Sequence, residues 1–164
     1  PRARSRGRDH AHTHAHFDHV GATKELQDIW QCPAYLHEAD GYLIEHLDMQ
    51  TGLFGMAAVP RPETEHQAHG DRHQGLAVLH TPGHTPGSCC FHGSFDQGQV
   101  VLAGDTLFAG GIGRTDLWGG SSPQIVDSIQ RHLYTLDPGT LVVPGHGPAT
   151  TIGEEAADNP FVRK

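Results

Sequence analysis

At 164 residues and 36% hydrophobic content, the chain suits one domain around a single core, and its 21 glycines and 11 prolines predict short elements joined by many turns. No apolar run approaches the roughly 20 residues of a membrane span, and the polar, basic stretch from Pro1 to Asp9 lacks the apolar segment of a secretory signal. The net charge is −8 in spite of Arg2, Arg4, Arg6 and Arg8, which argues against a nucleic-acid backbone as partner.

Residues 1–12 are expected to form a disordered or non-native leader, because Asp9, His10 and His12 stand where a buried strand would carry aliphatics. Residues 13–164 then form the domain. Its central motif is His14-Ala15-His16-Phe17-Asp18-His19. In an extended strand alternate side chains share a face, so His14 and His16 can close on one ion. Gly21 and the helix-like 22–27 indicate that the chain turns into a helix near Asp18 and His19, which can then serve a neighbouring ion. With 15 histidines in the chain a chance His-x-His pair is not rare, and exposed histidine tracts bind metal adventitiously. Mixed Asp and His ligation is nonetheless what a hydrolytic zinc or iron centre needs. His10 and His12 extend the alternation and are expected to flank the motif without ligating.

A helix is expected over 22–31 with Leu26, Ile29 and Trp30 as its apolar stripe, then a strand over 33–37. A second helix over 38–48 offers Tyr42, Leu43, Ile44 and Leu47 to the core, and 50–74 reads as a loop or poorly ordered insertion. After it one plan repeats: a short apolar run, a tight Gly or Pro turn, then a ligand-type residue. Leu76-Ala77-Val78-Leu79 runs toward His84, Val100-Val101-Leu102-Ala103 toward Asp105, and Leu141-Val142-Val143 toward His146. Such runs are buried strands of a layered α/β or α+β fold, and ligands gathered at one end of a sheet make a natural site. Singly, His84 or His146 is a surface histidine and Asp105 a turn former. A helix over 123–133, spaced by Ile125, Ile129 and Leu133, is expected to pack, and 153–157 to form a last helical turn before Asn159-Pro160. Cys32, Cys89 and Cys90 form no even framework, which fits free thiols in a reducing cytosol, with Cys89 and Cys90 as small buried residues.

Taken in order, His14-x-His16-x-Asp18-His19, His84, Asp105 and His146 resemble the metallo-β-lactamase superfamily over residues 13–149. Gly104-Asp105-Thr106-Leu107-Phe108, Gly113-Arg114-Thr115-Asp116, Pro144-Gly145-His146-Gly147-Pro148 and Asn159-Pro160-Phe161 are similar to the small single-domain type II glyoxalases, the hydroxyacylglutathione hydrolases. The resemblance implies an α+β fold, the αββα sandwich, with two divalent metal ions at one edge: zinc, with iron or manganese as alternatives. His14, His16 and His84 would hold the first ion and Asp18, His19 and His146 the second, with Asp105 bridging. It further implies a catalytic role for Asp18 in orienting the attacking hydroxide. Arg114 would anchor the carboxylate of a thiol carrier, the competing role being an ion pair with Asp116.

The implied activity is cytoplasmic hydrolysis of a small-molecule thioester such as S-D-lactoylglutathione, with no nucleic-acid or membrane partner. Physical chemistry agrees: a carboxylate can bridge cations about 3.5–4 Å apart, and a water between them ionises near neutral pH. A thiolate whose conjugate acid has a pKa of about 8.5 leaves without much acid help, which suits a sequence lacking a Ser-His or Cys-His signature. The rivals are an iron-dependent persulfide dioxygenase using His14, His84 and Asp105, and a non-catalytic metal-binding fragment. The latter arises because relatives carry several dozen residues before the first His motif. Thirteen precede His14, so the N-terminal strand layer is expected to be missing.

Overall fold

A computed structural model describes residues 9–163. The arginine-bearing part of the expected leader, 1–8, lies outside the described residues. Strand β1 (His10–Ala11) leads into a loop, the single-turn helix α1 (Phe17–Val20) and α2 (Thr23–Trp30). There follow β2 (Ala34–Leu36), a 3-10 turn at Glu38–Asp40, α3 (Gly41–Glu45) and α4 (Leu47–Leu53). An irregular strap carries β3 (Glu65–His66) to a run of strands: β4 (Arg72–His73), β5 (Leu76–His80), β6 (Cys89–Phe95) and β7 (Gly98–Gly104). The chain continues through the hairpin of β8 (Leu107–Phe108) and β9 (Gly111–Ile112), then α5 (Ser122–Ser128) and a π-helical turn at Ile129–Leu133. It ends with β10 (Leu141–Pro144), β11 (Thr150–Thr151) and α6 (Ile152–Asp158).

The larger sheet has the order β11-β10-β7-β6-β5-β4, and the smaller is the all-parallel β1-β2-β3. Because β6 runs antiparallel to both β5 and β7, and β7 parallel to β10, the C-terminal ends of β5, β7 and β10 share one edge. That shared edge is why three separated runs can each deliver a ligand to one place. On one side of the sheet Ile125, Ile129 and Leu133 pack with Val101, Ala103 and Val142. A second cluster, Ala15, Val20, Leu36, Leu43, Ile44 and Leu47, closes the core beneath α1, α3 and α4. The outcome is the expected α+β layering. A backbone bond from Cys89 N to Thr13 O, 2.7 Å, ties the loop after β1 to the start of β6 and so joins the sheets where the site lies.

Four expectations need correction. The leader boundary at residue 12 falls inside ordered chain: β1 pairs in parallel with β2, His10 stacks on Trp30 at 5.6 Å, and pairing with a distant strand is invisible to local pattern. The proposed stripe of α2 is not buried, since Ile29 is 70% and Trp30 41% exposed. Segment 50–74 is no disordered insertion: α4 runs through Leu53, β3 extends the small sheet and β4 the large one, and Gln67 donates to His12 O at 2.7 Å. Its tertiary bonds replace the periodicity that the sequence lacks. The helix expected over 38–48 is broken into a 3-10 turn and two helices, and the break places Asp40 underneath the site.

Candidate metal centre

All seven predicted ligands come together. His14 lies in the loop after β1, and His16, extended at φ −72° and ψ 148°, caps α1, which carries Asp18 and His19. His84 comes from the β5–β6 loop, Asp105 directly follows β7, and His146 follows β10. Ligand atoms fall into three sets, each with members within 4.8 Å of one another: His14, His16 and His84; His14, His19 and Asp105; Asp18, His19 and His146. Asp105 sits at the junction. Its Oδ2 is 3.6 Å from His84 Nε2 and 3.7 Å from His146 Nε2, and its Oδ1 is 3.4 Å from His19 Nε2. His10 and His12 stand outside: His12 Nε2 lies 3.1 Å from Thr23 Oγ1.

Whether a metal suits this pocket is answered by its unsatisfied atoms. Buried polar atoms are nearly always partnered, yet His14 Nε2, His19 Nε2 and Asp105 Oδ1 have no hydrogen bond. At 3.4 Å the His19–Asp105 approach is an electrostatic contact without a formed hydrogen bond. His84 Nδ1 lies 2.8 Å from the Arg114 carbonyl, which can only accept, so Nδ1 holds the proton and Nε2 presents a lone pair to the cluster. Unpartnered imidazole nitrogens beside a carboxylate are the donor set of a divalent transition metal.

Electrostatics point the same way. Burial, then the neighbouring imidazoles of His19 and His84, hold His14 well below the ordinary histidine value, and burial with His84 lowers His16 to about 4. Burial also lowers His84, against the opposing pull of the Arg114 carbonyl. Imidazoles kept neutral are ready ligands. Burial alone would lower His19, but the carboxylates of Asp105 and Asp18 outweigh it and raise the group. Burial would raise Asp105, but His19, His84 and His146 bring it below the usual carboxylate range.

Residues outside the predicted set hold these ligands in place. Asp40, fully buried, accepts from Ala15 N (3.0 Å) and Thr85 Oγ1 (2.8 Å) through Oδ2 and from Gly87 N (2.6 Å) through Oδ1, clamping the His14–His16 segment to the His84 loop. Gln50 accepts from Phe17 N and donates to Ala15 O and Leu43 O, fixing the entry to α1. Neither announces itself: Asp40 reads as an ordinary acid at a helix start, and Gln50 as part of a loop. Close approach also dictates Gly145, where a Cβ would collide with Asp105 Oδ1 and lie 2.8 Å from His19 Cε1. Gly104 adopts φ +48°, and a Cβ there would meet Thr13 at 2.6 Å.

The family model described as the metallo-beta-lactamase superfamily matches residues 12–146, and so spans every one of these ligands. The chain belongs to the metallo-β-lactamase superfamily. Two curated relatives are the "Probable metallo-hydrolase YqgX" of Bacillus subtilis, 38% identical over 90% of this chain and 72% of its own, and the "Hydroxyacylglutathione hydrolase GloC" of Haemophilus influenzae, 36% identical over the same shares. Among solved structures, TTHA1623 in a di-iron-bound form is 43% identical with a TM-score of 0.84, covering 93% of this chain and 76% of that one. ETHE1 from Myxococcus xanthus is 31% identical with a TM-score of 0.66, covering 93% and 61%. In the superfamily's terms this is a metal-dependent hydrolase.

Beside the superfamily's ligand cluster opens a cleft of about 260 Å³ lined by His16, Asp18, His84, Asp105 and Arg114 on its polar side. Arg114 is exposed and makes a two-pronged pair with Asp116, Nε to Oδ1 and the second guanidinium nitrogen to Oδ2, both 2.8 Å. The ion pair weighed against the anchor role is therefore formed. Arg114 also lines the cleft, and its carbonyl holds His84, a role that its side-chain chemistry does not announce. Cys89 and Cys90 are buried, and burial pushes both thiols up, Cys90 to about 11, so neither is a nucleophile.

Proposed function

We propose that this superfamily member is a binuclear thioester hydrolase acting on an acyl-thiol such as S-D-lactoylglutathione. The observation that carries the proposal is Asp105, which lines the cleft and lies within 3.7 Å of histidines from both ligand sets. In this proposal His14, His16 and His84 hold one divalent ion, Asp18, His19 and His146 the other, and Asp105 both. Zinc is the proposed metal, with iron and manganese as the competing assignments. Bound there, two cations supply Lewis acidity at the carbonyl and bring the pKa of a water toward neutrality.

The chain's own groups do the rest. Asp18 is 39% exposed, its Oδ2 is 3.1 Å from His146 Nε2, and it can accept a proton of the incoming water and set its direction. Among the described residues lining the cleft there is no serine or cysteine, and in this proposal the oxygen added to the carbonyl carbon comes from water. As the C–O bond forms the C–S bond breaks, and the products are a carboxylate, a thiol and a proton. A thiolate needs no dedicated acid to leave. Three free cysteines suit a reducing cytosol as the place of action.

The test is thiol release from S-D-lactoylglutathione by protein loaded in turn with zinc, iron and manganese, run beside oxygen uptake with glutathione persulfide. Metal-dependent thiol release is expected. Full metal occupancy without it contradicts the proposal, and oxygen uptake in its place assigns the site to persulfide dioxygenation.

A further inference from the structure

The lining of the same cleft also includes Phe17, Met49, Leu53, Phe54, Leu117 and Trp118, an apolar wall beside the polar groups. Phe17 apart, these side chains face water: Leu53 is 80%, Phe54 64% and Trp118 53% exposed. Exposed apolar surface joined to a polar site marks a place where something is bound. The wall is also braced. Tyr42 donates to Trp118 O at 2.8 Å and packs against its ring at 4.6 Å, His46 contacts the same ring at 5.1 Å, and Phe54 leans on Phe17 at 5.1 Å.

Resting on the thioester hydrolase assignment above, we infer that this wall selects the acyl arm of the substrate, and that the arm is an unbranched apolar chain of roughly six to eight carbons, a bulk that a cleft of about 260 Å³ can take. A thioester has two arms extending from the carbonyl. Arg114 is the one permanently cationic side chain among the described residues lining the cleft, and it matches an anionic carrier, which leaves the apolar wall to the acyl side. A lactoyl group, short and hydroxylated, would leave Leu53, Phe54 and Trp118 uncovered. Each buried methylene would strengthen binding of the reacting complex about three- to fourfold until the wall is filled.

With the carrier held constant, kcat/KM is measured for acetyl-, lactoyl-, butanoyl-, hexanoyl- and octanoylglutathione on metal-loaded protein. A climb of about three- to fourfold per methylene up to six or eight carbons is expected, and lactoyl equal to or faster than octanoyl overturns the inference. Binding is read separately. In a Trp30→Phe background the emission of Trp118 is expected to change on adding S-octylglutathione, a thioether that cannot be hydrolysed, and no response overturns the inference. A response without turnover of any thioester supports apolar recognition while contradicting the hydrolase assignment, so the two failures are distinct. Leu53→Asn with Phe54→Ala should lower the octanoyl-to-acetyl ratio of kcat/KM about tenfold. An unchanged ratio at unchanged metal content also overturns the inference.

Discussion

At the residue scale, the centre combines ligands that chemistry makes recognisable with supports that it does not. The seven ligands were legible because four stand in one six-residue motif and three at the ends of apolar runs, and imidazole and carboxylate groups have few structural reasons to recur in that order. Asp40 was not, because its value lies in three donors arriving from residues 15, 85 and 87. Asp105→Asn removes the charge that faces both ligand sets, and should cut the proposed thioester hydrolysis by at least about 100-fold while lowering metal content per chain. Asp40→Asn leaves every ligand in place but sets an amide against backbone N–H groups. It should weaken metal affinity on the order of 10–100-fold, measured by chelator competition. The buried imidazoles also set a pH dependence for metal-free protein. Burial lowers His12 and His16 to about 4 and holds His14 well below the ordinary histidine value, so between about pH 6.5 and pH 4 the unfolded chain binds more protons than the folded one. Stability is then present above pH 6.5 and is lost on acidification toward pH 4, with His19, which is raised, opposing in part. The urea midpoint of metal-free protein should fall from pH 7 to pH 5; a midpoint that stays level or rises would refute this account.

At the scale of elements, periodicity succeeded where packing is local and failed where it is not. The spacing of Ile125, Ile129 and Leu133 marks a buried face, and all three are fully buried across α5 and the π-helical turn. The same logic misplaced Ile29 and Trp30, because a stripe shows which residues could be buried and not whether a partner covers them. Strands of two residues, such as β3 and β4, leave no pattern to read and exist through their neighbours. Helix α6, Ile152–Asp158, contains the helical turn expected over 153–157, and the structure adds its cap. Thr151 and Glu154 form a reciprocal capping box, and Asn159 just beyond the helix donates to Gly111 O and to Glu155 while accepting from Phe161 N. The Asn159-Pro160-Phe161 motif thus ties the chain end to the hairpin next to Asp105. Thr151→Ala should cost about 1 kcal/mol, and Ile129→Ala about 2–5 kcal/mol through the cavity that it leaves, both by denaturant unfolding with metal content monitored.

For the whole molecule, a layered α/β or α+β fold and the edge carrying the site followed from three apolar runs with ligands at their ends, and the α+β class from the family resemblance, while the small parallel sheet followed from neither, since its pairings span 24 residues or more of sequence. The described residues nevertheless hold both sheets together through the Thr13–Cys89 bond and the Asp40 clamp, at the point where the ligands meet. Among the described residues no helix is long and apolar enough to cross a membrane. If metal completes the folded structure, removing it leaves His14, His19 and Asp105 with buried atoms unsatisfied, and stripping with a chelator should lower the thermal midpoint by several degrees. The most direct test of the central claim is elemental analysis of the purified chain, alongside its Asp105→Asn variant. Two divalent metal ions per chain, with fewer in the variant, is the predicted result. A chain that folds cooperatively yet holds no metal under saturating conditions would contradict it.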